Sequence, residues 1–356
     1  MLKSKSVFDS FLAPGIKDSL ASSSEEIANI LWESILSNYQ PQSALGSSFP
    51  SNHVHSIKQV LCTEWPVFKK EISDDEWYKT VLPLMRKYLD SDIQEDFDRL
   101  CNEEIGLLDF ANPHSIEAHS IISKYNGWKS FSDEIKHQNR FHCKTLNESI
   151  LVGILSKLVM TVSAGNTLYR ARVMKEKKNT PFGLSEMGMP PIDHAYSGRM
   201  NPQGISYFYL SENEETAIHE VRSALHDFVS VAEFTVESDL NLIDLRGLSD
   251  INPFWYVDLF ELAVNKGFLN DMYTAITLPM LKYDTEIEYI PTQYLAELIK
   301  TMVVEDGAPI DGIVYPSVMN SKLGLNYILF SESKMKGEAV SLKEITQIEY
   351  DYKTKD

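Results

Sequence analysis

Apolar residues recur every three to four positions through the first 160 residues, which is the spacing of amphipathic helices. Ahead of the first such run, Glu26–Ser37, a Ser-rich segment that ends at Ser24 supplies a residue to cap the helix. A loop rich in Pro, Ser, Gly and Asn follows at 40–55. The pattern predicts helices at 26–37, 75–101, 114–124, 130–138 and 147–162.

After Gly165 the pattern changes to short β-rich runs separated by loops and a few helices. Strands are predicted at Thr167–Val173, Ser206–Leu210, Phe228–Val236, Leu240–Leu245, Gly312–Tyr315 and Asn326–Phe330. Helices are predicted at Glu214–His226, Phe254–Lys266 and Pro291–Val304. Ser211 and Glu214 have the spacing of a capping box for the first of these helices.

The change of pattern indicates two domains, and the chain as a whole is predicted to be α+β. We predict a mostly α-helical domain at 1–160, an α+β domain at 165–335 and a C-terminal tail at 336–356. The pattern gives no function for the helical domain.

The chain is strongly acidic, because Asp and Glu outnumber Lys and Arg by 51 to 33 and give a formal net charge of −18. The mean surface field of such a protein repels nucleic-acid phosphates and anionic lipid. We therefore expect no nucleic acid and no membrane as partners. A small anionic ligand would need a local cationic site.

The sequence indicates neither export nor membrane insertion. The opening MLKSKSVFDSFLAPG has no apolar core of the kind found in signal peptides. The most apolar stretch, Ile150–Val162, is too short to span a bilayer and is interrupted by Lys157. Cys62, Cys101 and Cys143 form no CxxC pair, which favours a reducing compartment without a zinc site. We expect a cytoplasmic protein that uses no metal.

Candidate chemistry is concentrated in the second half of the chain. The Walker loop, GxGxxG, GxSxG and HExxH signatures are all absent, so kinases, Rossmann dehydrogenases, serine hydrolases and common metalloproteases are disfavoured. What stands out is a set of polar residues near predicted strand ends: Tyr169 and Arg170 in LYRAR, Arg199 in GRMNPQGI, Tyr209 in YFYLS, Glu220 in TAIHEVR, and Ser317 and Asn326 in YPSVMNSKLGLN.

These segments, in this order between Thr167 and Phe330, resemble the RES domain family, which is named for an Arg, a Glu and a Ser. The resemblance includes the eleven-residue spacing of Tyr209 and Glu220 and the TQYLAELIK helix from Thr292. It implies a fold similar to that of ADP-ribosyltransferases. It also implies phosphorolysis or hydrolysis of NAD⁺ or, in some members, ADP-ribosylation of a protein. Many members are toxins of bacterial toxin–antitoxin pairs, so an antitoxin is an implied partner.

The resemblance also implies roles for individual residues. It assigns catalysis to Glu220, Arg170 and Ser317, and NAD⁺ binding to Tyr169, Arg170, Arg199, Tyr209, Ser317 and Asn326. NAD⁺ is then the substrate, and inorganic phosphate, water or a protein is the acceptor. We interpret Ser317 as a positioning residue rather than a covalent nucleophile, since no adjacent His and acid would activate its hydroxyl.

The same residue types suit a dinucleotide on physical grounds. The guanidinium groups of Arg170 and Arg199 can each bind a pyrophosphate through two hydrogen bonds. Nicotinamide leaves from a cationic pyridinium, so cleavage needs no strong acid but does need stabilisation of an oxocarbenium-like ribose. Glu220, just off the apolar stripe of its helix, can supply that charge, and Tyr209 can supply an aromatic wall.

Each residue also has an ordinary structural interpretation. Arginines in an acidic protein commonly form surface salt bridges. Glu220 alone suits an exposed helix position, and Ser317 alone suits a turn after a proline. Tyr207 and Tyr209 share one side of a strand, so one of the two could simply fill the core.

Three functional hypotheses follow from the sequence. The first is a toxin-like enzyme that cleaves the nicotinamide–ribose bond of NAD⁺ and passes ADP-ribose to phosphate or water. The second is an ADP-ribosyltransferase that modifies a protein. The third is an inactive NAD-binding module that serves partner recognition through the helical half. An antitoxin protein and a second copy of the chain are the candidate protein partners.

Overall fold

In the computed structural model the described residues are 7–13, 16, 23–47, 49–91, 93–122, 127–174, 179–250, 258–277, 286–319 and 324–348. The chain is α+β and forms two compact units. The first consists of Met1–Ser123 and Asp250–Lys266, and the second of Lys124–Ser249 and Gly267–Asp356. The second unit therefore begins well before the predicted domain boundary at 160–165.

The first unit is built mainly from helices. They are α1 (Ser24–Asn38), α2 (Ile57–Gln59, continued by a π turn at Val60–Glu64), α3 (Asp74–Glu76, continued by a π turn at Trp77–Val81), α4 (Leu82–Tyr88), α5 (Gln94–Cys101) and α6 (Pro113–His119). The predicted serine cap of α1 is confirmed, because Ser23 accepts a hydrogen bond from the Glu26 backbone and Glu26 returns one.

The single helix predicted at Asp75–Cys101 is wrong. Helix α4 ends at Tyr88, and Leu89 has an extended backbone conformation. Asp90 and Ser91 lie outside any helix, and α5 begins at Gln94. The amide of Gln94 donates to the carbonyl oxygens of Arg86 and Leu89, which satisfies carbonyls that the broken helix leaves free.

The first unit also contains a small antiparallel sheet that the helical pattern did not predict. Its strands are β1 (Tyr39–Pro41), β2 (Val54–His55) and β3 (Ile105–Leu107), with β3 in the centre. Each strand has only two or three residues, which is too short for a period of two to be recognised in the sequence. Large aromatic side chains fill the core, with Trp32 against Phe97 and Phe68 against Trp77.

A mixed eight-stranded sheet forms the centre of the second unit. Its strands are β4 (Val159–Val162), β5 (Thr167–Val173), β6 (Phe208–Ser211), β7 (Phe228–Val236), β8 (Leu240–Asp244), β9 (Gly312–Pro316), β10 (Leu325–Leu329) and β11 (Met335–Glu344). The order is β11-β7-β5-β6-β10-β9-β8-β4, and every neighbouring pair is antiparallel except β8 and β9. All six strands predicted for this half are present, within two residues at each end.

The helices of the second unit are α7 (Gly127–His137), α8 (Glu148–Leu155), α9 (Glu214–Glu220), α10 (Gly247–Asp250) and α12 (Ile290–Lys300). Helix α11 (Leu259–Thr277) contributes its residues from Gly267 onward to this unit and its earlier residues to the first. Of the predicted Phe254–Lys266 helix, residues 254–257 lie outside the described residues. An aromatic group of Phe131, Phe268 and Tyr294 packs α7, α11 and α12 together.

Three predicted elements of the second unit need correction. The helix predicted to continue to Val162 ends at Leu155, and the β-branched run Val159–Val162 pairs with β8 instead. The helix predicted to reach His226 ends at Glu220. Its cap is Asn213, which accepts from the Thr216 backbone, so the predicted capping box at Ser211 is wrong.

The segment from residue 336, predicted as a tail, contains most of strand β11. This strand pairs with β7 along its whole length, with an irregularity between Gly337 and Ala339. It is an edge strand whose residues are at least partly exposed, so its sequence shows little of the hydrophobic alternation that marks a buried strand.

The two faces of the sheet carry different apolar clusters. The main cluster includes Leu168, Phe208, Leu210, Phe234, Val314 and Tyr327. A smaller cluster on the opposite face joins Ala171, Val229 and Val231 of the sheet to Ala217 of α9. Because side chains alternate along a strand, Tyr169, Tyr209 and Asn326 project toward the α9 side.

Candidate active site

A cavity of about 380 Å³ lies beside α9 on this face of the sheet. Residues from four strands reach it, because β5, β6, β10 and β9 lie next to one another. The described residues that line it are Tyr169, Arg170, Ala171, Arg199, Tyr209, Leu210, Ser211, Ala217, Glu220, Val221, Tyr315 and Asn326. The topology thus gathers residues that are up to 157 positions apart in the sequence.

The carboxylate of Glu220 is held through one of its two oxygens. Ser317 Oγ donates to Glu220 Oε1 over 2.5 Å, and Asn326 Nδ2 donates to the same oxygen over 2.8 Å. Asn326 is oriented in turn by Ser211, whose hydroxyl donates to Asn326 Oδ1 over 3.1 Å. No described residue donates to Glu220 Oε2, and Glu220 lines the cavity.

Ser317 is placed by the backbone that follows strand β9. Its side chain is almost fully buried, and its N–H donates to the Gly324 carbonyl over 2.7 Å. Gly324 permits a close approach to α9, because a Cβ atom there would lie 1.9 Å from Thr216 Oγ1. A glycine at 324 therefore lets the segment carrying Ser317 and Asn326 pack against the helix that carries Glu220.

Arg170 is a half-buried lining residue of the cavity, and its guanidinium lies beside Phe208 of the main cluster. Its Nη1 donates to the Tyr209 carbonyl over 3.2 Å, and its guanidinium lies 5.4 Å from the Phe208 ring centroid. Its Nε is buried and has no hydrogen-bond partner in the described part of the chain. Burial, together with the nearby charge of Arg172, lowers the pKa of Arg170 to about 10, so the group is still cationic near pH 7.

Arg199 is presented by a loop that helix α12 holds in place. The hydroxyl of Thr292 donates to the Arg199 carbonyl, and Gln293 Nε2 donates to Ser197 Oγ and to the carbonyls of Gly198 and Asn201. The Arg199 guanidinium donates to the Ile276 carbonyl of α11. Among the described residues no carboxylate forms an ion pair with Arg170 or Arg199.

Tyr209 separates this cavity from a second one. Its hydroxyl donates to Asn201 Oδ1 over 2.7 Å and accepts from the Met200 N–H over 3.3 Å. Burial raises the pKa of the Tyr209 hydroxyl, so it stays protonated at neutral pH. Tyr209 and Arg199 both line the second cavity, which has a volume of about 300 Å³.

The structure brings the predicted site residues to one place. Tyr169, Arg170, Arg199, Tyr209, Glu220 and Asn326 line the first cavity, and Ser317 contacts Glu220. Tyr207 is buried and donates through its hydroxyl to Glu297, so Tyr209 is the tyrosine of the pair that lines the first cavity.

Several residues that shape the site were not predicted. Thr292 and Gln293 hold the Arg199 loop, Asn201 orients Tyr209, and Tyr315 lines the cavity. Thr292 and Gln293 belong to the TQYLAELIK segment, where two polar residues at the start of an apolar helix were the available signal. Their function depends on a loop about 90 residues away, which the local pattern does not show.

Among the described residues, no group of three or more His, Cys, Asp or Glu is arranged to hold a metal ion. No helix within those residues has both the length and the apolar character needed to cross a bilayer.

Comparison with known proteins gives one match. The model of the RES domain matches residues 167–353, which is slightly more than half of the chain. No curated protein matches the chain. The matched range contains all seven predicted site residues and strands β5 to β11.

Proposed function

Since the chain belongs to the RES domain family, we propose that it is an enzyme that cleaves the nicotinamide–ribose bond of NAD⁺. The family is linked to NAD-utilising activity. The observation that carries the proposal is the composition of one cavity: Glu220, whose Oε1 accepts from Ser317 and Asn326, lines it together with Arg170 and Arg199, and neither arginine has a carboxylate partner among the described residues.

The charges of this cavity suit a dinucleotide. The two arginines match the negative pyrophosphate, and their retained charge on an acidic protein gives the local cationic site that such a ligand requires. Glu220 matches the part of the substrate that becomes positive. The proposal therefore places the nicotinamide riboside beside Glu220 and the pyrophosphate beside the arginines.

The reaction breaks one bond and forms one. As the bond between C1 of the ribose and the pyridinium nitrogen breaks, its electron pair moves to that nitrogen and nicotinamide leaves as a neutral molecule. The ribose acquires oxocarbenium character, which the negative charge of Glu220 stabilises. An oxygen of inorganic phosphate or water then bonds to C1, giving ADP-ribose phosphate or, after loss of a proton to solvent, ADP-ribose.

The proposal also gives Ser317 and Asn326 a supporting role. Both donate to Glu220 Oε1, so they fix the carboxylate and direct its second oxygen toward the cavity. Ser317 has no imidazole beside it among the described contacts, so we assign it to positioning rather than to covalent catalysis. The Glu220 carboxylate, held by these two donors, need not move when positive charge develops on the ribose. Such preorganisation is the condition for effective electrostatic catalysis.

The test is nicotinamide release from NAD⁺ by the purified chain, with and without inorganic phosphate. We expect Glu220→Gln to lower kcat by at least about 100-fold, the scale seen when a preorganised electrostatic group is removed. The amide oxygen of the variant can still accept from Ser317 and Asn326, so folding is retained. Glu215→Gln makes the same chemical change at an exposed position of α9 and should leave kcat unchanged.

The products identify the acceptor and decide between the hypotheses. Release that requires phosphate supports phosphorolysis, release without phosphate supports hydrolysis, and label transferred from NAD⁺ to protein supports ADP-ribosylation. Intact NAD⁺ under every condition, or equal rates for wild type and Glu220→Gln, would overturn the proposed chemistry.

A toxin-like function follows if the activity is fast enough to deplete the cellular pool. Expression of the wild-type chain in bacteria should then lower NAD⁺ and arrest growth, whereas Glu220→Gln at equal abundance should do neither. An antitoxin would be a protein that restores both NAD⁺ and growth when co-expressed. Growth arrest by both chains would mean that toxicity is independent of NAD⁺ cleavage.

A further inference from the structure

The second cavity differs in chemical character from the first. Its described lining contains the aromatic and apolar side chains of Tyr196, Tyr207, Tyr209, Pro190 and Ala195, and it contains no carboxylate. Tyr207 lies buried at this cavity with its hydroxyl donated to Glu297. Tyr196 is 77% exposed and therefore lies at the rim. Three tyrosine rings in a lining that also includes Arg199 favour a flat aromatic group attached to an anion.

The loop that lines the second cavity is fixed by its own hydrogen bonds. Asn201 Nδ2 donates to the carbonyls of Tyr196 and Ile205, each over 2.9 Å. Ser206 Oγ donates to the Pro190 carbonyl over 2.7 Å, and the Gly204 N–H donates to the Ala195 carbonyl over 2.9 Å. The cavity is thus formed without a ligand, and binding would require little ordering of the chain.

The two cavities share Arg199 and Tyr209 in their walls. The Arg199 guanidinium is oriented by the Ile276 carbonyl and has no carboxylate partner among the described residues. Arg199 thus lies between a cavity that contains the Glu220 carboxylate and a cavity that is lined by tyrosines. This order matches the order of groups in a dinucleotide. Its pyrophosphate lies between two nucleosides, and only one of them carries the bond to be cleaved.

We propose that the second cavity binds the adenine base of NAD⁺, with the pyrophosphate at Arg199 and the nicotinamide riboside in the first cavity. This inference rests on the proposed function, because Glu220 fixes which end of the substrate enters the first cavity. Tyr196 at the rim offers its ring to the base, since aromatic side chains bind bases by stacking. The acceptor phosphate is a poorer fit, because the hydroxyls of Ser206, Tyr207 and Tyr209 and the amide of Asn201 already donate to protein oxygens.

The test compares NAD⁺ with nicotinamide mononucleotide, which has the scissile bond and one phosphate but no adenosine. Tyr196→Ala should lower the ratio of kcat/KM for NAD⁺ to that for the mononucleotide about tenfold, in line with the loss of one stacking contact. Ile192→Ala is the matched control, because Ile192 is 72% exposed on the same loop but does not line the cavity. It should leave the ratio unchanged.

AMP binding tests the inference independently of catalysis, in case the mononucleotide is a poor substrate. Binding of AMP, measured by calorimetry, should weaken about tenfold in Tyr196→Ala and stay at the wild-type value in Ile192→Ala. An unchanged ratio and unchanged AMP affinity would overturn the inference, as would a variant that alters only the KM for phosphate. Failure of the wild-type chain to cleave either nucleotide would instead count against the proposed function, while AMP binding would still report on the cavity.

Discussion

At the scale of single residues, Glu220 shows how neighbours give an ordinary side chain a specific task. A glutamate at the end of a short helix is usually exposed and solvated. Here Ser317, just after β9, and Asn326 of β10 both donate to one carboxylate oxygen, and no described residue donates to the other. The negative charge is thereby fixed in position instead of moving with a flexible side chain.

Asn326→Asp tests this arrangement through pH dependence. The substitution places a second carboxyl group at hydrogen-bond distance from Glu220, where two negative charges repel, so the pair will hold one proton to higher pH. We expect the pH of half-maximal activity to rise by more than about one unit, with activity recovered as the pH increases. The measurement is a profile of kcat against pH.

The control for this prediction is Asn326→Leu, which removes the hydrogen bond without adding a charge. It should lower kcat and move the profile upward by less than Asn326→Asp does, because it removes a donor but adds no repelling charge. If Asn326→Asp had the wild-type profile, the carboxylate at position 220 would not be the group whose ionisation governs catalysis.

The residue scale also shows where sequence reasoning stops. The polar residues on the strands could be predicted as site residues because they interrupt apolar runs. Their order along the chain then matched that of the family. The role of Gln293 could not be predicted, because a glutamine in a helix is normally a solvent-facing residue. Only the fold shows that it is buried and that its amide group donates to three oxygens of the Arg199 loop.

At the scale of elements, helix α12 positions a loop of the active site. Gln293→Leu removes the three donated hydrogen bonds and leaves the Gly198 and Asn201 carbonyls without this donor. Since we propose that Arg199 binds the pyrophosphate equally in the ground state and the transition state, we expect the KM for NAD⁺ to rise about tenfold with kcat changed less than about threefold. Steady-state kinetics separates the two constants.

Thr301→Ala is the control for that prediction, since Thr301 lies exposed just beyond the end of the same helix. It should change neither constant. A fall in kcat with an unchanged KM in Gln293→Leu would contradict a positioning role through Arg199.

A second prediction at this scale concerns the connection between α7 and α8. Burial acts to raise the pKa of Glu134, but hydrogen bonds from the Thr145 hydroxyl, the Lys144 and Thr145 backbone and the Cys143 thiol lower it to about 2. A folded-state pKa below the ordinary value contributes stability above about pH 4.5, and this contribution is lost as the pH falls toward 2.

Glu134→Gln should therefore lower the melting temperature by about 5 °C at pH 7, because charged hydrogen bonds of this kind contribute about 2 kcal/mol. The difference from wild type should shrink as the pH falls below 4.5. Asp133→Asn, at the neighbouring exposed position, should change the melting temperature little at any pH. A difference that stayed constant between pH 7 and pH 3 would show that the carboxylate charge is not the source of the stability.

Element by element, the accuracy of the sequence predictions followed burial. The six predicted strands of the second unit lie largely within the apolar clusters, so their residues carry a clear pattern. Strand β11 has an exposed edge and almost no apolar period, and β4 follows directly on a helix without a turn signal. Both were missed because their pairing partners, β7 and β8, are remote in sequence.

At the scale of the whole molecule, the family match and the compact units divide the chain differently. The match begins at residue 167, whereas the second unit begins at Lys124, and Asp250–Lys266 belongs to the first unit. Hydrophobic patterning cannot show that a segment in the middle of one predicted domain packs with another part of the chain. Phe260, for example, packs against Phe110, a contact between residues 150 positions apart.

This division predicts the behaviour of a chain shortened to residues 165–356. The shortened chain lacks β4, which covers the edge of β8 and contributes Val162 to the main cluster, and it also lacks α7 and α8. It retains Leu259, Phe260 and Leu262 without the first unit, in which they are buried. An uncovered strand edge together with exposed apolar side chains favours aggregation.

We expect residues 165–356 to give mostly insoluble protein on expression. The soluble fraction should melt well below the full chain and release little nicotinamide. The matched comparison is the full chain carrying Phe260→Ala, which keeps β4 and should stay soluble with cleavage retained. If residues 165–356 were soluble, cooperative in melting and as active as the full chain, the segments outside the family match would be dispensable for both folding and chemistry.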